Sequence, residues 1–218
     1  MIRIYIANNR FNRFIKLTSD ELHYLKNVMR KRDGSEVLVF NELDGEWIGS
    51  LNQEEIILKT LNRPAEVYHT LCIGAGCIKR IEYLVEKVIE VGATDIYLLN
   101  TDRSQRIKYQ MGRLNKIAME AVEQCGRMDR PVLHEPMDLQ DFLKLDLNFC
   151  LADCNAEKNR SEIAATRPNC YLIGPEGGWS DRELQWMQAL PKISLSKNIL
   201  RAETAAVVAL AHHFAQNT

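Results

Sequence analysis

The chain has 218 residues, with 28 Lys and Arg against 29 Asp and Glu, a formal net charge of -1 and 46% hydrophobic residues. This composition is too apolar for a disordered chain and too irregular for a collagen-like or coiled-coil protein, and the length suits one large domain or a small one followed by a medium one. No apolar run approaches the ~18 residues of a membrane span, and Met1-Ile-Arg-Ile-Tyr-Ile6 alternates where a signal peptide would carry an apolar core, so a cytoplasmic protein with no membrane partner is expected.

Residues 1–66 read as a small β-rich unit. Ile2 to Ile6 alternates apolar and polar residues, Val37 to Phe40 is an apolar run, and Trp47 to Leu51 and Ile56 to Leu61 follow, with Leu43-Asp44-Gly45-Glu46 as a hairpin turn. One helix interrupts them. It opens at the capping box formed by Thr18 and Glu21, places Leu22, Leu25, Val28 and Met29 on one face, and stops near Asp33-Gly34. The polar segment Asn62-Arg63-Pro64-Ala65-Glu66 marks the boundary.

From residue 67 strands alternate with helices, the pattern of an α/β domain with a mostly parallel sheet over 67–218. Leu71 to Ala75 is its first strand, and a helix follows with Ile81, Leu84, Val85, Val88 and Ile89 at helical spacing and Gly92 as its stop. Ile96 to Leu99 is the next strand, then a basic loop through Arg106 and a long helix from about Gln110 to Arg127. Phe149 to Ala152, Cys170 to Ile173 and Ile193 to Leu195 are the remaining predicted strands. A second capping box, Ser180 with Glu183, opens a helix, and a last helix from Glu203 to about Phe214 is apolar on nearly every side, as expected of one buried or covered in a dimer interface.

The near-zero net charge hides a segregation. Residues 1–35 hold eight basic residues (Arg3, Arg10, Arg13, Lys16, Lys26, Arg30, Lys31, Arg32) against Asp20, Glu21 and Asp33, whereas 36–60 set six acidic residues against Lys59. A second basic stretch, 101–130, holds Arg103, Arg106, Lys108, Arg113, Lys116, Arg127 and Arg130 against four acids. Two basic stretches on a neutral chain point to a defined polyanion site or, equally, to a solvated surface. Five of the six cysteines (Cys72, Cys77, Cys125, Cys150, Cys154, Cys170) lie in or beside apolar runs, which favours reduced buried thiols. Cys150 and Cys154 have no second Cys pair and no His at finger spacing, so no metal is expected.

Three segments stand where chemistry is done. Gly74-Ala-Gly76-Cys-Ile-Lys79 lies between a strand and a helix, as a dinucleotide fingerprint would, but Lys79 replaces the third glycine and the next strand ends in Asn100 instead of an acid. Lys79 and Arg80 then meet a phosphate or solvent. Gly174-Pro-Glu-Gly-Gly-Trp179-Ser180 joins a buried strand to a capped helix, and its glycines let a ligand approach main-chain N–H groups; this is the strongest signal in the chain, with a plain tight turn as the lesser alternative. Leu195-Ser-Lys-Asn-Ile199-Leu200-Arg201-Ala-Glu203-Thr204 is again a strand, a loop and a helix start, in which Arg201 and Glu203 are either functional or a structural ion pair. Both loops would converge at the carboxyl edge of one sheet, where open α/β sheets bind ligands.

The pair Gly174-Pro-Glu-Gly-Gly and Leu200-Arg-Ala-Glu-Thr-Ala resembles the RsmE family of 16S ribosomal RNA uracil-N3 methyltransferases, in the SPOUT (trefoil-knot) superfamily. Further segments extend the resemblance over nearly the whole chain: Glu120-Ala-Val-Glu-Gln124-Cys-Gly-Arg127, Asp102-Arg103-Ser104 where the family has Glu-Arg-Ser, and His23-Tyr-Leu-Lys-Asn-Val28-Met-Arg30 near the N-terminus. It implies a PUA-like RNA-binding β-barrel over 1–66, a knotted parallel-sheet methyltransferase domain over 67–218, S-adenosylmethionine as methyl donor without a metal, and an active site completed across a homodimer. Carried over position by position, Leu172, Gly174, Glu176, Gly177, Leu195, Ile199, Leu200 and Thr204 would hold the donor. Arg201 would stabilise charge on the base, Glu203 or a water would accept the N3 proton, and Arg3, His23, Arg30, Arg103 and Arg127 would contact RNA. The implied substrate is 16S rRNA in the decoding region of the assembled small ribosomal subunit. Two other readings remain at this point, a noncatalytic RNA-binding or ribosome-assembly protein and a nucleotide enzyme using Gly74 and Gly76.

Overall fold

The computed structural model describes residues 1–104, 107–156 and 168–217, with Gln216 and Asn217 described for their backbone alone. Arg106, counted above in the basic stretch, lies outside the described residues. The chain divides into two compact units, one of residues 1–68 with 122–130 and one of 69–121 with 131–218.

In the first unit, β1 (Ile2–Tyr5), β2 (Phe14–Lys16), β3 (Glu36–Asn41), β4 (Gly45–Asn52) and β5 (Glu55–Arg63) form a half-barrel sheet in the order β1-β3-β4-β5-β2. Only β1 with β3 is parallel. Two register shifts in β4, at Glu46/Trp47 and Ile48/Gly49, bend the strand, as bulges do. The turn into β4 is built by Asn41, whose Oδ1 accepts the N–H groups of Leu43 and Asp44, and by Gly45 at φ +78. The core gathers Ile4, Ile6, Ile15, Leu25, Val37, Val39, Leu51 and Ile56.

The helix at Thr18 has both arms of its capping box, but after Ser19–His23 it widens into a π-turn over Tyr24–Val28. The wider turn rotates the residues beyond it, so Leu25 is buried while Val28, expected on the same face, is 57% exposed. Arg30 closes the turn with φ +52.

Glu46, 2% exposed, anchors this unit. Its carboxylate accepts Arg3 Nε at 2.5 Å, Arg63 Nε at 3.0 Å and Asn62 Nδ2 at 2.6 Å. The same two guanidinium groups donate onward to main-chain carbonyls of the 122–130 segment, Arg3 to Val122, Glu123 and Arg127 and Arg63 to Gly126.

The second unit is a six-stranded, wholly parallel sheet ordered β11-β9-β10-β6-β7-β8. Its strands are β6 (Cys72–Gly76), β7 (Asp95–Asn100), β8 (Val132–Asp138), β9 (Phe149–Ala152), β10 (Cys170–Ile173) and β11 (Lys192–Ile193). Helices Ile81–Glu90, Met111–Cys125, Leu139–Phe142, Asp181–Trp186 and Ala202–Asn217 connect and follow them. The central strands β6 and β10 are buried along their whole length, as parallel strands covered on both faces must be. The knotted threading that the resemblance implies turns on connections that include 157–167, outside the described residues. Among the described residues no helix is long and apolar enough to cross a membrane, and no group of three or more His, Cys, Asp or Glu side chains is placed to hold a metal. Cys72, Cys77, Cys150 and Cys170 are buried free thiols, while Cys125 and Cys154 are exposed.

Candidate functional site

The two glycines of β6 are filled from within. A Cβ at Gly74 would lie 2.6 Å from the Phe142 ring, and one at Gly76 would lie 2.6 Å from Pro175 Cδ and 2.8 Å from its nitrogen. These glycines admit a neighbouring ring and the turn after β10, which leaves no room at their backbone for a pyrophosphate. Arg80, at the start of the next helix, is paired with Glu203 at 2.8 Å.

The open space lies instead at the carboxyl ends of β9, β10 and β11, where a cavity of about 500 Å³ is bounded by three strand-end loops. Ala152 to Asn155 follow β9, Ile173 to Glu176 with Gly178 and Trp179 follow β10, and Ile193, Leu195, Ser196 and Asn198 to Ala202 follow β11. The volume is that of a small-molecule site, ordinarily ~300 to 1,000 Å³, and the position is the one open α/β sheets use. Its walls are mixed. Ile173, Trp179, Leu184, Leu195, Ile199 and Leu200 supply apolar surface, while Asp153, Glu176 and Arg201 bring charge.

Each loop has a local reason for its path. Ser180 caps the Asp181–Trp186 helix in a complete capping box with Glu183. Gly178 has φ +67 with nothing near its missing Cβ, so there the turn itself demands glycine. Gly174 is needed for packing: a Cβ would come 3.1 Å from Trp179 Nε1, a buried indole nitrogen without a hydrogen-bond partner among the described residues. On β9's loop, Asp153 accepts the Asn155 N–H at 2.9 Å and lies 3.5 Å from Lys192 Nζ.

Of the residues expected to hold a donor, Gly174, Glu176, Leu195, Ile199 and Leu200 line the cavity, and Arg201 joins them. Leu172 is fully buried inside β10, Gly177 faces Arg103, and Thr204 is exposed on the final helix; none of the three is in the lining. Glu203 is also outside it, 3% exposed and ion-paired with Arg80, the structural pairing that the sequence offered for it with another partner. Sequence reasoning missed Asp153 to Asn155, Trp179, Ser196 and Asn198. The strand ending at Ala152 was legible, and the rule that ligands sit at carboxyl ends extends to its loop as well.

The expected RNA contacts divide. His23, Arg30 and Arg103 are exposed. Arg3 and Arg127 are about nine-tenths buried: Arg3 is committed to Glu46 and three carbonyls, and Arg127 forms a two-pronged pair with Asp129 while stacking 5.3 Å from the Tyr68 ring. Burial leaves little of either guanidinium for a polyanion to reach, and the partners give both a structural task. Beside the cavity wall, burial pushes the Cys77 thiol up and holds Tyr109 well above the ordinary phenol range, its hydroxyl donating to the Ile78 carbonyl at 2.8 Å.

Comparison with known proteins places this geometry. A family model for the RNA methyltransferase domain matches residues 63–213, and one for the RNA methyltransferase PUA domain matches residues 17–61. The chain is 32% identical to Ribosomal RNA small subunit methyltransferase E of Rickettsia conorii, covering 96% of this chain and 93% of the relative. It is 26% identical to the protein of the same name in Bacillus subtilis, covering 89% and 87%. Among solved structures, a Legionella pneumophila methyltransferase in complex with bound cofactor SAM superimposes with a TM-score of 0.81 at 26% identity, covering 98% of this chain and 97% of the other. Ribosomal RNA small subunit methyltransferase E of Neisseria gonorrhoeae shares the fold at a TM-score of 0.82 and 23% identity, covering 97% and 95%. With both of its domain models matched in order and a curated relative aligned along nearly its whole length, the chain belongs to the ribosomal RNA small subunit methyltransferase E family of RNA methyltransferases.

Proposed function

We propose that this protein transfers a methyl group from S-adenosylmethionine to N3 of one uridine in the decoding region of 16S ribosomal RNA, with the assembled small subunit as substrate in the cytoplasm. The observation that carries the reading is the cavity in which the Gly174 loop and the Leu200-Arg201 loop meet at one sheet edge. The residues present suit the donor. Leu195, Ile199 and Leu200 offer an apolar bed for an adenine, the strand-end main chain offers donors and acceptors, and two carboxylates against one guanidinium suit a ligand with a net positive charge.

When bound, the donor supplies an electrophilic methyl group on a sulfonium. The protein's share is positioning and electrostatics, because the acceptor nitrogen must lie in line behind that methyl. Loss of the N3 proton develops negative charge on the flanking carbonyl oxygens, and Arg201, exposed at the cavity rim, stabilises it. Glu203, held by Arg80, fixes the start of the final helix and so the loop that carries Arg201, and water takes the proton. Arg30, His23 and Arg103 contact the RNA. The first unit, with the segment 1–66, binds RNA, and 67–218 holds the donor. A homodimer completes the site, supported by a final helix whose apolar residues include Val207 and Val208, half-buried, and Phe214, 45% exposed.

Incubation with labelled S-adenosylmethionine and small ribosomal subunits lacking the modification, followed by nucleoside mass spectrometry, tests the reading. Labelled 3-methyluridine from one site is expected. Donor binding without label in RNA refutes the substrate assignment, and absence of donor binding leaves a noncatalytic RNA-binding protein.

A further inference from the structure

Two loops with different proposed tasks are fastened to each other. Asp102-Arg103-Ser104 follows β7 and carries the exposed Arg103, whereas Gly174 to Ser180 follows β10 and walls the cavity. Between them lies Glu183, 1% exposed. One of its carboxylate oxygens accepts the Ser180 N–H at 2.7 Å, as a capping box requires; the other accepts the Asp102 N–H at 2.8 Å, 81 residues away. The helix has no use for that second bond. Ser180 Oγ donates to the Asp102 carboxylate at 2.5 Å, and Arg182 pairs with the same carboxylate. Those two bonds pull the Asp102 carboxyl below the usual carboxylate range, so the fastening stays ionised at neutral pH.

One residue further on, Arg103 Nη1 donates to the Gly177 carbonyl at 3.2 Å. A Cβ on residue 177 would lie 3.0 Å from the Arg103 Cβ, so the glycine lets the loops close on each other. Gly177 is thus a seat for Arg103, and its neighbours Glu176 and Gly178 line the cavity.

We propose that Asp102 and Glu183 are positioning residues that make occupancy of the cavity and RNA contact through Arg103 depend on each other. The inference rests on the donor and RNA roles proposed above. A ligand that orders the Glu176–Trp179 main chain also fixes the Gly177 carbonyl, and through Asp102 the loop that aims Arg103. RNA then binds a loop whose ordering cost has already been met, and the coupling is reciprocal: each ligand tightens the other by the same factor.

The test measures the affinity of the full-length protein for small ribosomal subunits lacking the modification, with and without saturating S-adenosylhomocysteine, which permits no turnover. For the unsubstituted protein the homocysteine compound should tighten subunit binding by about fivefold or more. Asp102→Ala keeps the main-chain N–H that satisfies Glu183 and removes only the carboxylate; Arg182→Gln cuts the same carboxylate's ion pair from an exposed position. Both should bring the factor below about twofold while leaving S-adenosylhomocysteine affinity alone nearly unchanged, and Asp102→Asn, which can still accept from Ser180, should restore part of it. A merely structural role would weaken both affinities together and leave their ratio alone. A factor near one in the unsubstituted protein, or an unchanged factor in Asp102→Ala, overturns the coupling while donor and subunit binding stand. If the unsubstituted protein binds either partner not at all, the parent reading falls and takes the coupling with it.

Discussion

Four of the five N–H groups of Arg3 are taken, by Glu46 and by the carbonyls of Val122, Glu123 and Arg127, so its charge is spent inside the fold. The sequence marks Arg3 and Arg30 alike as basic, and only the partners, 43 to 124 residues away for Arg3, separate them. Glu46 bears the consequence. Burial alone would raise its carboxyl, but hydrogen bonds from Arg63, Arg3 and Asn62 outweigh that and hold it at about 2, against an ordinary 4.5. The folded state therefore binds fewer protons than the unfolded one between those values, and the stabilisation, on the order of 3 kcal/mol, is complete above about pH 4.5 and fades as pH falls towards 2. Glu46→Gln should cost roughly 3 kcal/mol at neutral pH by leaving two guanidinium groups without their counter-charge, and urea midpoints followed from pH 7 to pH 3 should fall less steeply in the variant. At the cavity, Arg201→Ala should lower kcat by ~10² or more with donor affinity nearly intact. Single-turnover rates and titration calorimetry separate the two effects, and normal turnover would remove Arg201 from the mechanism.

At the scale of elements, the apolar runs that become β9 and β10 and the capping boxes at Thr18 and Ser180 were legible because their signals are local: unbroken burial and a three-residue reciprocal bond. Others were not, among them β2, β8, the Leu139–Phe142 helix and the π-turn. β8, Val132–Asp138, contains Glu135 and Pro136 and reads as a loop; it survives as a strand because it is the sheet edge, paired on one side only, where a missing N–H costs no ladder bond. The π-turn at Tyr24–Val28 breaks the helical period on which the placing of Val28 depended. The glycines of β6 were seen but their purpose was not, because Phe142 and Pro175 come from elsewhere in the chain. Gly76→Ala drives a methyl into the backbone nitrogen and ring of Pro175, and a destabilisation of about 1 to 3 kcal/mol is expected. Equilibrium denaturation measures it. NADH should give no thermal shift with either form; a shift abolished by the substitution would revive a nucleotide role for this strand.

For the molecule as a whole, a net charge of -1 excludes indiscriminate binding to polyanions and leaves recognition to segregated patches. The candidate cavity was half legible, since two of its three loops carry glycine or Leu-Arg motifs while the Asp153 loop carries nothing distinctive. The proposed RNA contacts were legible only as a stretch of sequence. Within residues 1–35 the basic side chains are not equivalent: Arg10 is clamped by Glu21 at 2.7 Å from both Nη atoms and Arg3 is buried, whereas Arg30 and Arg32 are exposed. Counterion release makes the distinction measurable, because removing one cation that neutralises a phosphate reduces the slope of log affinity against log salt by ~0.7 to 0.9. Replacing Arg30 and Arg32 together by Gln should flatten that slope for small ribosomal subunits by about one to two with the fold intact. Replacing Arg10 should leave the slope nearly unchanged while lowering stability, because Glu21 keeps its Thr18 N–H but loses its counter-charge. Equal slopes for all these variants would mean that the exposed charges of this segment face solvent and that the polyanion is held elsewhere.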